Sequence, residues 1–164
     1  ALQDLNIHHQ NGRISTATEA WCHEFSETLN KLLDDIDMHT ILNFSLGSSI
    51  ESMLLSMAHA EHKTHAKTAV AMQIPISTAR RRLLKPPPEI SMFENNPNWH
   101  KLINLFSQIV NNELVLRTPV ELTRNLIAQC ILNLHSSNMA LASQLMGVSE
   151  PTMYKLRKQI TSGI

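Results

Sequence analysis

The sequence predicts an all-α protein made of two repeated units, each with two long helices followed by two short ones. Three observations predict it. Apolar residues recur at helical spacing rather than in alternation. Glycine is scarce, at 4 residues, aromatic content is 4%, and Leu, Ala and Met are frequent. The order long, long, short, short occurs twice, which is an internal repeat rather than a coincidence of periodicity. At 164 residues and 43% hydrophobic, the chain can bury the shared core that such an arrangement needs.

The elements follow in order. Residues 1–17 form a polar amino-terminal segment, and residues 18–85 form the first unit. Trp21, Phe25, Leu29, Leu32, Leu33 and Ile36 place one apolar stripe on a helix from Thr18 to Ile36. Gly47 breaks the chain. Ser48 and Glu51 then have the spacing of a capping box for a second helix from Ile50 to His62, with Met53, Leu54, Met57 and Ala58 on its stripe. Two short segments, Thr64 to Met72 and Ile76 to Leu84, flank a Gln73-Ile74-Pro75 corner. Residues 86–95 are a linker, stopped by Pro86, Pro87 and Pro88, which lack the amide donor a helix requires.

The pattern returns in residues 96–160. Pro97 opens a helix to Asn112 with Trp99, Leu102, Ile103, Phe106, Ile109 and Val110 on its stripe. Thr118, Pro119 and Glu121 repeat the capping-box spacing ahead of a helix from Pro119 to His135, whose broad apolar face includes Leu122, Leu126, Ile127, Cys130, Ile131 and Leu134. Asn138 to Met146 and Glu150 to Ile160 are the second short pair, around Gly147-Val148-Ser149. Trp21 and Trp99 each open the stripe of a long helix and are expected to anchor the core.

Apolar runs are only a few residues long and the amino terminus is polar, so neither a membrane span nor a signal peptide is expected. A soluble, cytoplasmic protein follows. Cys22 and Cys130 lie singly on apolar helix faces, which favours buried thiols over a disulfide or a metal site. The chain opens at Ala1 without an initiator methionine, which leaves open that it is a fragment of a longer protein, and a sensor or ATPase domain outside it would leave no trace in this sequence.

The formal net charge is zero, but the charges are segregated. Residues 1–60 hold 2 basic and 8 acidic side chains, whereas residues 61–85 hold 6 basic and 1 acidic, and residues 137–164 hold 3 basic and 1 acidic. Positive charge therefore concentrates on the two short-helix regions, as an electrostatic footprint for nucleic acid would.

A shift of 74 residues places Met72 over Met146, Ile74 over Val148 and Thr78 over Thr152. Two short helices that cross at a tight corner need small side chains at the crossing, here Thr68-Ala69 and Ala142-Ser143, and an apolar plug after the corner, here Ile74 and Val148. Gly147 suits a left-handed corner; Gln73 must tolerate that conformation or avoid it. Both segments resemble the C-terminal helix-turn-helix of the Fis family, found also at the end of many bacterial enhancer-binding activators. The first copy matches at Thr68-Ala69, Ile74, Thr78 and Arg80 to Leu83, the second at Ala142-Ser143, Gly147-Val148, Thr152 and Lys155, and the resemblance spans about residues 18–160.

The resemblance implies a bacterial, nucleoid-associated regulator of transcription that binds double-stranded DNA, with the long helices, dimer-forming in that family, packed here as an intramolecular pseudo-dimer. Recognition helices present basic and hydroxyl residues to the major groove and pack their opposite face on the domain. The expected DNA contacts are Ser77, Thr78, Arg80, Arg81, Arg82 and Lys85 in the first unit and Thr152, Lys155, Arg157 and Lys158 in the second, with Ala79, Leu83, Met153 and Leu156 inward. Two departures from the family pattern stand out. Pro75 fills the cap position that Ser149 fills in the second copy, and Glu150 brings a carboxylate toward the phosphates, where it accepts from cytosine, repels, or complements the helix dipole.

Other signals carry less. His59, His62 and His65 run past a helix end without the convergent partners zinc needs, and Glu24, Glu27, Asp34, Asp35 and Asp37 read as a solvated acidic face. There is no phosphate loop and no nucleophile triad. No catalytic site, cofactor or metal is expected. The partners to weigh besides DNA are a second copy, joined through the acidic first helix, and a regulatory domain outside this chain. A reading of a different class, a helical interaction module that has lost DNA binding, draws on the neutral net charge and on Glu150.

Overall fold

The computed structural model describes residues 16–36, 45–84 and 93–162, in which the regular elements are eight α-helices with no strand. They are α1 (Thr16–Asp35), α2 (Leu46–His62), α3 (His65–Met72), α4 (Ile76–Leu83), α5 (Pro97–Val110), α6 (Pro119–His135), α7 (Met139–Met146) and α8 (Glu150–Ser162). The expected helices fall within a few residues of these, because strong local signals mark their ends. Asn96 caps α5, its side chain accepting from the Asn98 and Trp99 amides, and Pro97 sits in the first turn, where its missing N–H costs nothing. Thr64 and Asn138 cap α3 and α7 in the same way, accepting from Lys67 and Leu141. The Pro86 to Pro88 run and the polar amino-terminal segment lie outside the described residues, apart from Thr16 and Ala17, which begin α1.

Four long helices carry the core. α1 packs against α5 and α6, and α2 against the same two. Trp21 is buried, stacks on Phe25 at 5.2 Å and donates from its indole Nε1 to the Leu105 carbonyl at 3.0 Å, so its one polar atom is satisfied inside the apolar contact of α1 with α5. Phe25 continues the aromatic line to Phe106, and the Asn96 and Asn98 side chains tie the start of α5 to Asp35 at the end of α1. Trp99 is equally buried, and its ring stacks on Phe93 at 4.7 Å. Phe93 lies in the stretch expected to be linker, so the core claims the end of that segment. Leu134, expected on the apolar face of α6, is exposed.

Cys22 and Cys130 are buried free thiols in this core. Burial, with Glu19 nearby, pushes the Cys22 thiol up to about 12. Burial pushes Cys130 to about 11, against the pull of the Ser26 side chain. In both, burial disfavours the thiolate.

The short helices hang on the second and fourth long helices. α3 and α4 pack on each other and on α2, α7 and α8 pack on each other and on α6, and α7 also reaches α2. Ala79 of α4 and Met153 and Leu156 of α8 are buried where each helix meets the body.

Two local expectations are corrected. Gly47 does not break the chain: it is the second residue of α2, buried, and a Cβ there would lie 2.6 Å from the Met146 carbonyl oxygen and 2.9 Å from its Cα. The Ser48 and Glu51 spacing is not a capping box either, because Ser45 precedes the helix, while Ser48 Oγ donates across to the Met146 and Gly147 carbonyls at 3.4 and 3.5 Å. Thr118 does sit before α6, but its hydroxyl turns back to the Arg117 carbonyl and makes no cap. For Gly47 and Ser48 a tertiary contact displaces the local role.

The Gly47 contact is backbone on backbone, so a side chain there forces α2 and α7 apart rather than turning to a new rotamer. Gly47→Ala is expected to destabilise the fold by about 2 kcal/mol, in the range of overpacked sites. Urea unfolding of the variant beside the wild type measures it; an unchanged midpoint would mean that α2 and α7 are free to separate.

Candidate nucleic-acid interface

The two short-helix pairs turn through left-handed residues at matching places. Gln73 has φ 57° and ψ 47°, and Gly147 has φ 85° and ψ 31°. In each, the next residue's amide returns to the first short helix, Ile74 N–H to the Ala69 carbonyl at 3.0 Å and Val148 N–H to the Ser143 carbonyl at 3.1 Å, which satisfies a helix-end acceptor. Thr68, Ala69, Ala142 and Ser143 are buried at the crossings, and Ile74 and Val148 pack against the core.

A left-handed glutamine is uncommon, and its side chain shows what offsets the strain. Gln73 Oε1 accepts from the Thr118 amide at 2.9 Å, and Nε2 donates to the Leu116 carbonyl at 3.4 Å. Thr118 is itself left-handed, at φ 45°. The corner between α3 and α4 is thereby pinned to the start of α6, just as the corner between α7 and α8 rests on Ser48 and Gly47 at the start of α2.

The expected contact residues are placed unequally. Ser77, Arg80 and Arg81 are exposed on α4, Thr78 is half-buried, and Lys85 lies outside the described residues. On α8, Lys155, Arg157 and Lys158 are exposed. Thr152 is half-buried, its hydroxyl 2.9 Å from Ser149 Oγ, which accepts from the Thr152 amide and so caps α8. Pro75, at the corresponding place before α4, makes no side-chain cap.

Arg82 departs from the outward direction expected of it. Its Nη1 lies 3.6 Å from Glu51 Oε2, and Arg124 Nε from α6 lies 3.5 Å from Glu51 Oε1. The Glu51 side chain is only 11% exposed, against 23% for Arg82 and 33% for Arg124. This cluster joins α4 to α2 and α6. Neither Glu51 nor Arg124 was a candidate from sequence, since nothing local links positions 51, 82 and 124. Tyr154 was missed as well: it is 48% exposed on α8, with the Arg157 guanidinium 4.9 Å from the centre of its ring. Its place just ahead of the outward basic residues Lys155, Arg157 and Lys158 was the available signal.

His59 and His65 bring their rings to 5.2 Å, but among the described residues no three His, Cys, Asp or Glu side chains gather to hold a metal ion. No helix among them is long and apolar enough to cross a membrane.

No protein-family model matches the chain, and no curated protein or solved structure proved similar to it.

Burial pushes the Glu51 carboxyl above its ordinary range, and the attraction of Arg124 and Arg82 only partly opposes this. A carboxyl whose folded pKa is raised favours the fold fully below its unfolded pKa, and that contribution is lost as pH rises through the folded value. The stability of the wild type relative to Glu51→Gln is therefore expected to fall as pH rises from about 4 toward neutrality. Denaturant unfolding of both proteins across that window measures it; a difference that grows with pH would mean that the arginines outweigh burial.

Proposed function

We propose that this chain is a regulator that binds double-stranded DNA through two Fis-like helix-turn-helix readers, α3–α4 and α7–α8, held on a scaffold that imitates a dimer within one chain. The observation that carries the reading is the corner made twice, with the left-handed residue, the small pair at the crossing and the apolar plug at corresponding positions. The packing supports it further. Exchanging the first unit for the second turns the contact of α1 with α6 into that of α5 with α2, that of α2 with α4 into that of α6 with α8, and leaves α1 on α5 and α2 on α6.

On this reading α4 and α8 enter successive major grooves. Arg80, Arg81, Lys155 and Lys158 supply charge to phosphates and guanine edges, and Ser77 supplies a hydroxyl at the amino end of its helix. Thr152 takes a positioning role, since its hydroxyl is shared with Ser149. Because the two readers differ in sequence, the preferred site is asymmetric rather than palindromic.

Two observations favour the second reading, a helical interaction module. Arg82, in the most basic helix, spends its charge on Glu51, and Glu150 puts a carboxylate in the first turn of α8.

Fluorescence anisotropy on labelled duplex DNA at several salt concentrations separates the two. The DNA reading predicts binding whose logarithm falls linearly with the logarithm of salt. Arg81→Ala should cost about 1 to 3 kcal/mol if the side chain reads a base, or flatten the salt slope by about one unit if it holds a phosphate. Absence of salt-dependent binding would leave the interaction module.

A further inference from the structure

A recess of about 210 Å³ opens where α2, α4, α6 and the α7–α8 corner meet, with Ser48, Glu51, Ser52, Arg81, Arg82 and Arg124 in its lining. Its charge is unbalanced, with three guanidinium groups around one carboxylate. Both ion pairs of Glu51, at 3.5 and 3.6 Å, are longer than the 2.7 to 2.9 Å typical of charge-assisted hydrogen bonds. Accordingly Arg82 Nη1 and Arg124 Nε are buried donors without a hydrogen-bond partner. Buried guanidinium nitrogens on partly exposed side chains that share a single distant carboxylate are left unsatisfied unless a further acceptor reaches them.

We propose that this recess is a seat for a phosphate group, held by Arg81, Arg82 and Arg124 with the Ser48 and Ser52 hydroxyls as additional donors. The seat goes beyond the DNA-reading helices, because it is built from both units and lies between them. Size decides against a larger ligand: pockets for drug-sized molecules run to about 300 to 1,000 Å³, whereas this one suits a single tetrahedral group with water. Shape decides against a simple carboxylate, whose two oxygens match one guanidinium fork, while a phosphate offers acceptors in several directions at once. Ser48 donates to the Met146 and Gly147 carbonyls at 3.4 and 3.5 Å, and on turning inward it exchanges these long bonds for one to the phosphate. Glu51 is the internal competitor, drawing the same two guanidinium groups that the phosphate engages.

The phosphate comes from one of two sources, inorganic phosphate in solution or the backbone of a bound duplex; only the second rests on the DNA-binding reading. Isothermal titration with sodium phosphate, ionic strength held constant with chloride, tests the seat itself. One saturable site is expected, accompanied by a rise in melting temperature that chloride does not produce. Arg124→Gln and Arg81→Gln should each weaken it at least tenfold, and Glu51→Gln should tighten it at least tenfold by removing the competing charge. Arg81 is exposed, so its variant keeps the test valid if Arg124→Gln disturbs the fold. No saturable binding, or binding indifferent to both arginine variants, would overturn the proposal. The same titration in the presence of labelled duplex identifies the source: displacement of the duplex by phosphate assigns the seat to the DNA backbone, and simultaneous binding assigns it to free phosphate. A chain that takes phosphate but binds no duplex keeps the seat and loses the DNA reading.

Discussion

The contact on which the arrangement of the short helices depends is the close approach of two backbones, Gly47 beneath the carbonyl of Met146. Nothing larger than a hydrogen fits there, so the start of α2 is set against the end of α7 with no adjustable side chain between them. The corresponding place in the other half is solved differently. Gln73 extends its amide to the chain around Leu116 and Thr118, and a side-chain bracket replaces the bare backbone contact. Each corner therefore sits on the helix that begins in the opposite half. The orientation of each short-helix pair is thus decided by packing across the molecule rather than by its own segment alone, which is what a rigid presentation of two surfaces requires.

The charged cluster belongs to the same logic. Glu51 is the sixth residue of α2 and Arg124 the sixth of α6, so the two occupy corresponding positions where these helices cross. Identical subunits related by a two-fold axis would place like charges opposite one another at such a point. A single chain escapes that constraint, and here it sets a carboxylate against a guanidinium. The position of Arg82 has no such counterpart, because Leu156 lies at the matching place in α8 and is buried against the core. The asymmetry makes α4 an arm of the core electrostatics and leaves α8 attached by apolar contact alone at that point.

Much of the fold was legible because its signals are local. The stripes headed by Trp21 and Trp99 specify long amphipathic helices, Pro97 and Pro119 fix two helix starts, and Gly147 marks one corner. What was not legible depends on which surfaces meet. Gly47 has the local appearance of a breaker, and only Met146 on the far side makes it a packing residue. Ser48 and Glu51 have the spacing of a capping box, yet each turns to a partner outside its own helix, Ser48 to Gly147 and Glu51 to Arg82 and Arg124. The division of α8 into Met153 and Leu156 inward and Lys155, Arg157 and Lys158 outward followed from its period. The same argument misdirected Arg82, because a long side chain at the edge of a face reaches whichever charge the neighbouring helix offers.

On the proposed function, one chain presents two short-helix readers to one duplex. Pulsed dipolar spectroscopy between spin labels at Ser77 and Glu150, both exposed at the amino ends of α4 and α8, measures the separation of the readers directly. With duplex DNA bound, the account predicts a single narrow distribution near the roughly 34 to 36 Å that separates successive major grooves, or somewhat shorter where the DNA bends toward the protein. A separation far from one helical turn, or a broad distribution that DNA does not narrow, would contradict it.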